Sequence, residues 1–258
     1  VQRAIPPRRP TTSSEQGLTP SNRLLTALTP AEFERLRSEL QTVTIKPKQL
    51  IYAAGAAIKD VYFPHDGVYS IVTTLSDGSM VESATIGSEG MLGVEAFVRD
   101  DAAAYGHTMV QVPGETAERL PIGAFRREIN RHATLARLLG SYLELLVAHM
   151  MQSLACNARH GLEQRCCRWL LLIHDRVGTD EFRLSHEFLA MMLGNRRQSV
   201  SVVAGALQEQ GLIRYKHGRV VLIDRPGLEG RACECYRVMQ QQLRRFMTLS
   251  SPEGGQFS

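Results

Sequence analysis

The sequence predicts an α+β protein in two parts. An N-terminal antiparallel β-roll comes first, then a long helix, then a small helical domain closed by a β-hairpin. Three observations predict this order. Short β-rich runs separated by glycine turns occupy residues 43–120. One uninterrupted helical pattern runs from about Ala133 to Cys156. Beyond it, further helical patterns end in two β-branched runs around a glycine, "LIRYKHGRVVLI".

The composition fits two modest domains. The chain has 258 residues, 43% hydrophobic and 22% charged. Its net charge of +4 is unevenly placed. Residues 22–157 carry 12 basic and 15 acidic groups, net −3, and residues 158–258 carry 15 basic and 10 acidic, net +5. That sign change predicts that the second part meets a polyanion. No run approaches the roughly 20 apolar residues of a membrane span. The five cysteines, an odd number with no repeating framework, predict a reducing cytoplasm.

Residues 1–21 read as a disordered, proline-rich basic tail, either inert or a phosphate-contacting arm. A first domain spans 22–132. It opens with leucines at helical spacing, and Thr29-Pro30 with Glu32 marks a helix start. The strand runs "QLIYAAG", "DVYFPHDG", "VYSIVTTLSDGS", "MVESATIGSEG" and "TMVQVPGE" follow. Asp66-Gly67 and Asp77-Gly78 read as hairpin turns, so the domain is predicted to be an antiparallel roll or barrel.

Residues 133–157 form the predicted dimerisation helix. Leu135, Leu139, Tyr142, Leu146, His149, Ser153 and Cys156 alternate at spacings of four and three, the spacing of a coiled-coil seam. Leu138, Leu143, Leu145 and Met150 widen the apolar surface. A helix apolar on two sides needs two partners. The roll is predicted on one side and the same helix of a second subunit on the other.

Residues 158–228 hold the motif with the clearest chemistry. After the helix "LEQRCCRWLLLIHDRV" and a loop, Ser185 caps a new helix. Counted from His186, Ala190 is fifth, Gly194 ninth, Val200 fifteenth and Val203 eighteenth. A small fifth residue lets two helices approach, and a ninth-place glycine supplies a positive φ for the tight turn. The two valines lock the second helix onto the first. This is a helix-turn-helix, and the hairpin after it is a wing. The second helix should start near Arg196, bury Val200, Val203, Ala204 and Leu207, and present Arg197, Gln198 and Ser201 to base edges. Arg196, Ser199, Lys216, His217 and Arg219 are candidate phosphate contacts. Five basic residues and one acid lie between Asn195 and Arg219, so affinity for double-stranded DNA should fall steeply with salt. Residues 229–258 read as a C-terminal helix and tail, packed on the winged domain or extending the dimer.

The whole order resembles the Crp-Fnr family of bacterial transcription regulators over residues 22–230. The strongest likeness is "LSHEFLAMMLGNRRQSVSVVAGALQEQGLI"; "VYFPHDGVYSIVTTLSDGSMVESATIGSEGMLGVEAF" is similar to the family's effector roll. The resemblance implies a cyclic-nucleotide-binding-like roll, a homodimer, promoter binding and, for an activator, contact with RNA polymerase. It implies no catalytic residues.

The departures carry information too. Family members often have Arg-Glu-Thr-Val and a further arginine where this chain has Arg197-Gln198-Ser199-Val200 and Val202, so its DNA site should differ. The cyclic-nucleotide pocket maps to Gly93, Val94, Glu95, Ala103, Ala104 and Tyr105. Val94 stands where the ribose-binding glutamate belongs, and Ala103 and Ala104 where the phosphate-binding arginine belongs. Cyclic AMP and cyclic GMP are therefore not the predicted effectors, because a buried phosphate would lack its cation. The iron–sulfur members' cysteines before the roll are missing, since Cys156 is the first cysteine. Cys166-Cys167 and Cys233-x-Cys235 are read as structural, so no metal site and no cofactor is predicted. The effector stays open: a small neutral molecule, a partner, or none. The competing reading is a small-molecule or redox sensor whose winged helix binds a protein.

Overall fold

The computed structural model describes residues 21–131 and 133–249. The predicted tail at 1–21 and the chain end after 249 thus lie almost wholly outside the described residues. Two short helices open the fold, α1 (Arg23–Thr26) and α2 (Pro30–Arg37). Thr29 and Glu32 close a reciprocal capping box at the start of α2, with Pro30 at its first position. Such a box holds two backbone N–H groups that the helix itself leaves without partners.

The roll consists of two antiparallel sheets. One has the order β1 (Gln41–Thr44), β7 (Thr116–Pro121), β3 (Asp60–Pro64). The other has the order β2 (Leu50–Tyr52), β6 (His107–Val112), β4 (Val68–Thr74), β5 (Met80–Ile86). A short helix, α3 (Glu95–Val98), lies between β5 and β6. Asp77-Gly78 turns β4 into β5, which pair antiparallel. Asp66-Gly67 does not form the expected hairpin. The strand before it, β3, pairs with β7, and the strand after it, β4, pairs with β5 and β6. The turn is instead a corner between sheets, where the Asp66 carboxylate accepts the backbone N–H of Glu115 at 2.8 Å.

From β7 the chain enters α4 (Ile122–Arg131) and then the 27-residue α5 (Ala133–Arg159). Leu135, Leu139, Tyr142 and Leu146 of α5 belong to the core of the roll, along with Val61, Phe63, Leu92 and Phe125. The Tyr142 ring occupies the space above Gly90, where a Cβ would come within 2.3 Å of it. Its hydroxyl donates to the Met91 carbonyl at 3.2 Å.

The winged domain comprises α6 (Leu162–Val177), β8 (Glu181–Arg183), α7 (His186–Met192), α8 (Arg197–Glu209), β9 (Ile213–Lys216), β10 (Arg219–Leu222) and α9 (Arg225–Arg231). The last helix, α10 (Cys235–Leu249), turns back along α5. Phe246 of α10 packs beside Tyr142, ring centroids 6.2 Å apart, and Met239 offers its carbonyl to His149 Nε2 at 3.1 Å.

That packing corrects the expected seam. Leu135, Leu139, Tyr142, Leu146 and His149 are buried inside one chain, by the roll and by α10. The apolar surface that α5 leaves open is a neighbouring stripe: Val147, Met150, Met151 and Leu154 are all exposed, Leu154 at 73%. Gly140 and Leu143 continue it toward the roll at the same alternating spacing of three and four.

Candidate nucleic-acid interface

The helix-turn-helix forms where its register requires. Ser185 caps α7, its side chain accepting the Phe188 N–H at 3.1 Å. Ala190 and Val200 are buried at the contact between α7 and α8, and Val203 is half-buried against the same core. Gly194 has φ +57°, the left-handed turn conformation that strains any residue with a Cβ. Helix α8 begins one residue later than expected, with Arg196 as its N-cap and Arg197 as its first residue. Arg196, Arg197 and Gln198 are exposed, and Ser199 is half-buried.

Ser201 is placed differently from a free base-reading hydroxyl. Its Oγ lies 2.9 Å from His186 Nδ1. That ring packs on Tyr215 of the wing, centroids 4.1 Å apart. Burial, followed by the nearby Arg197 cation, pushes the His186 pKa below its ordinary value. The Ser201–His186–Tyr215 stack ties both helices of the motif to the wing.

In the wing, β10 pairs with both β8 and β9. His217 and Gly218 both have positive φ, +51° and +71°, the requirement of a two-residue type I′ turn. Lys216 and His217 are exposed at the tip. Arg219 is also exposed, but its guanidinium donates to Glu181 at 2.6 Å.

The winged domain is docked on the roll. Val68, Val72 and Val112 of the four-stranded sheet share one core with Trp169, Leu189 and Met192. Trp169 Nε1 donates to Glu82 at 3.1 Å. Arg176 of α6 reaches Glu89 at 2.8 Å in a buried ion pair. As a result, Arg196, Arg197 and Ser199 form one wall of a cleft of about 840 Å³ whose other wall is Leu75, Ser79, Met80 and Val81 of the β4–β5 hairpin. His217, Gly218 and Arg219 face a second cleft against Pro47, Lys48 and Met109.

In the roll, Gly93 has φ +85° and lies against Tyr52, leaving no space for a side chain. Val94 and Ala104 are buried, Glu95 is buried with its carboxylate accepting the Tyr105 N–H at 3.2 Å, and Tyr105 itself is 75% exposed. Ala103 pairs with Ala57. The nearby Arg99 is turned outward onto Asp101 at 2.8 Å.

The cysteines divide into two groups. Cys166 and Cys167 are buried in α6, and burial pushes both thiols well above the ordinary range, Cys167 to about 12. They read as packed, unreactive side chains. Cys156, Cys233 and Cys235 instead converge with His160, all four donor atoms within 4.8 Å of one another. The sequence reading did not bring these four together. Its local trace is Cys156-x3-His160, one helical turn, and Cys233-x-Cys235, with over 70 residues between the pairs.

Comparison with known proteins agrees with this architecture. Residues 164–231 match the Crp-like helix-turn-helix domain family. The transcriptional regulator LdrP of Thermus thermophilus is 27% identical over 192 residues, covering 72% of this chain and 93% of LdrP. The solved structure of a CRP-family transcriptional regulator from the same organism is 25% identical with a TM-score of 0.57, covering 74% of this chain and 96% of that one. FixK2 from Bradyrhizobium japonicum, 17% identical over 75% of this chain and 98% of its own, shares the fold with a TM-score of 0.64. Residues 164–231 thus form a winged domain of the Crp-like helix-turn-helix type, in a chain that is similar over about three quarters of its length to transcription regulators of the CRP family.

Proposed function

We propose that the chain acts in the cytoplasm as a homodimer that reads a two-fold-related DNA site through α8, under control of a signal reaching the roll. The observation that carries this reading is the exposed set Arg197 and Gln198 at the start of α8, beside a basic wing. Arg197 pairs with a guanine and Gln198 with an adenine edge, while Arg196, Ser199, Lys216 and His217 hold phosphates. Arg219 joins them on leaving Glu181. Ser201 keeps its place in the stack with His186 and acts by orienting α8. The second subunit packs on Gly140, Leu143, Val147, Met150 and Leu154 of α5. A dimer joined there carries two copies of α8, which suits half-sites about one helical turn apart. The role is binding, without turnover, and as an activator the bound dimer also contacts RNA polymerase.

The docked winged domain supports a gate. Arg196, Arg197 and Ser199 face the β4–β5 hairpin across the cleft and Gly194 of the turn lies against Val81, so in this reading the motif separates from the hairpin before α8 lies in a major groove. Glu82 and Glu89, which hold Trp169 and Arg176, are the contacts that a signal in the roll would loosen. The signal is neither cyclic AMP nor cyclic GMP. In support, Val94 and Ala104 make the family's ribose and phosphate positions apolar, and Arg99 is held outward.

The test is selection of the purified, ligand-free protein against a random duplex library, with and without cell extract. A palindrome recovered with extract, and weakly or not at all without it, is the expected result. Recovery of no sequence in either condition, from a folded dimer, would assign the winged helix to a protein partner instead.

A further inference from the structure

We propose that Cys156, Cys233, Cys235 and His160 bind one zinc ion, which clamps the start of α10 to the end of α5. Cys156 lies in the last turn of α5, and His160 follows one turn later, just past the helix end. Cys233 sits in the connection after α9, and Cys235 is the first residue of α10. The three sulfurs form a small buried cluster separate from both main cores. Cys156 Sγ lies 3.4 Å from Cys233 Sγ, and Cys235 Sγ lies 3.5 Å from His160 Nδ1. Two sulfurs about 2.3 Å from a shared tetrahedral zinc stand roughly 3.8 Å apart, so a few tenths of an ångström separate these donors from a coordination shell. Three cysteines and a histidine are a closed structural donor set for zinc.

The surroundings fit a metal better than a pair of thiols. His160 turns Nδ1 toward the cluster and Nε2 toward the Glu234 carboxylate at 3.2 Å. A metal-bound imidazole is ordinarily held by such a carboxylate, which fixes its tautomer. The Gln152 side-chain amide donates to Cys235 Sγ at 3.0 Å, a bond that a thiolate accepts better than a thiol. Arg165 and Arg168 lie near Cys156, each with a buried Nε that has no hydrogen-bond partner among the described residues. Zinc binding releases three thiol protons and leaves a centre of net charge −1, which these two guanidinium groups compensate. A Cys156–Cys233 disulfide would use two of the four donors and leave Cys235, His160, Glu234 and Gln152 unexplained.

The experiment uses the full chain, purified with a phosphine reductant and without added chelator. Metal content is measured by elemental analysis, and the metal-free protein is then titrated with cobalt. The expected result is one zinc per chain, and a cobalt form with thiolate charge-transfer and tetrahedral ligand-field bands. Cys156→Ser and Cys235→Ser should lose the ion, while Cys166→Ser and Cys167→Ser keep it. Glu234→Gln, at an exposed position, should weaken zinc affinity about 10- to 100-fold. Should Cys156→Ser fail to fold, His160→Gln carries the same test. Reduced, folded protein that binds no zinc or cobalt overturns the proposal. So do equal losses in Cys166→Ser and Cys156→Ser, or isolation of a Cys156–Cys233 disulfide in place of the metal. None of these readouts involves DNA, so the outcome is independent of the proposed operator reading.

Discussion

Replacing Arg176 tests how firmly the winged domain is held on the roll. Its Nε and terminal nitrogen reach Glu89 Oε1 at 2.9 and 2.8 Å, and its other terminal nitrogen donates to the Leu172 carbonyl at 3.1 Å. The Arg176 and Glu89 side chains are only 5% and 9% exposed. Arg176→Met therefore leaves a buried carboxylate with one donor among the described residues, the Gly87 N–H at 3.1 Å. Stranding one charge of a buried pair costs about 3–5 kcal/mol, whereas replacing both partners by apolar groups of similar volume is often near neutral. The double variant Glu89→Leu/Arg176→Met should thus recover most of the loss, apart from about 1 kcal/mol for the Gly87 N–H left without its acceptor. The chain has one tryptophan, Trp169, and its indole donates to Glu82 at the same dock. Urea unfolding followed by its fluorescence therefore reports on this contact directly. Arg176→Met unfolding within about 0.5 kcal/mol of the parent, or a double variant as unstable as the single one, would show that the Arg176–Glu89 pair does not hold the dock.

Other consequences are equally specific. Burial first, then the nearby Arg176 cation, lowers the His149 pKa to about 4, and its Nε2–H donates to the Met239 carbonyl. Because the unfolded chain takes up that proton near pH 6.5 and the folded chain does not, stability should fall as pH drops from about 6.5 to about 4, by on the order of 3 kcal/mol. The difference between the parent and His149→Gln in pH-dependent urea midpoints isolates this slope, and parallel profiles would refute it. Arg197→Ala should cost about 1–3 kcal/mol at one base step and relax preference there, while Lys216→Ala should weaken all sequences alike and lower the salt slope by about 1. Equal effects of both on every sequence, in competition binding, would refute the roles assigned. Leu154→Glu should yield folded monomer by sedimentation, since Leu154 lies on the open stripe of α5; an unchanged dimer would move the subunit contact elsewhere.

Local chemistry alone determined a good deal of this protein. The Ala190–Gly194–Val200 register, the Ser185 cap, the Asp77-Gly78 hairpin and the His217-Gly218 wing turn each depend on residues a few positions apart. Each has its reason in steric freedom or capping, so the sequence reveals it. The periodicity of α5 also showed that two apolar sides must be covered. It did not show which side faces what, because two offset stripes satisfy the same alternation of three and four. Tertiary packing decided the matter: the roll and the returning α10 together bury the stripe through Leu135, Leu139, Tyr142, Leu146 and His149 and leave Val147, Met150 and Leu154 open. Asp66-Gly67 carries a hairpin signature, yet strand pairing across the two sheets makes it a corner. The Cys156, His160, Cys233 and Cys235 cluster left only two separate pairs in the sequence, Cys156-x3-His160 and Cys233-x-Cys235. Its two halves are brought together by the packing of α10 on α5, which depends on contacts that no short window of sequence contains.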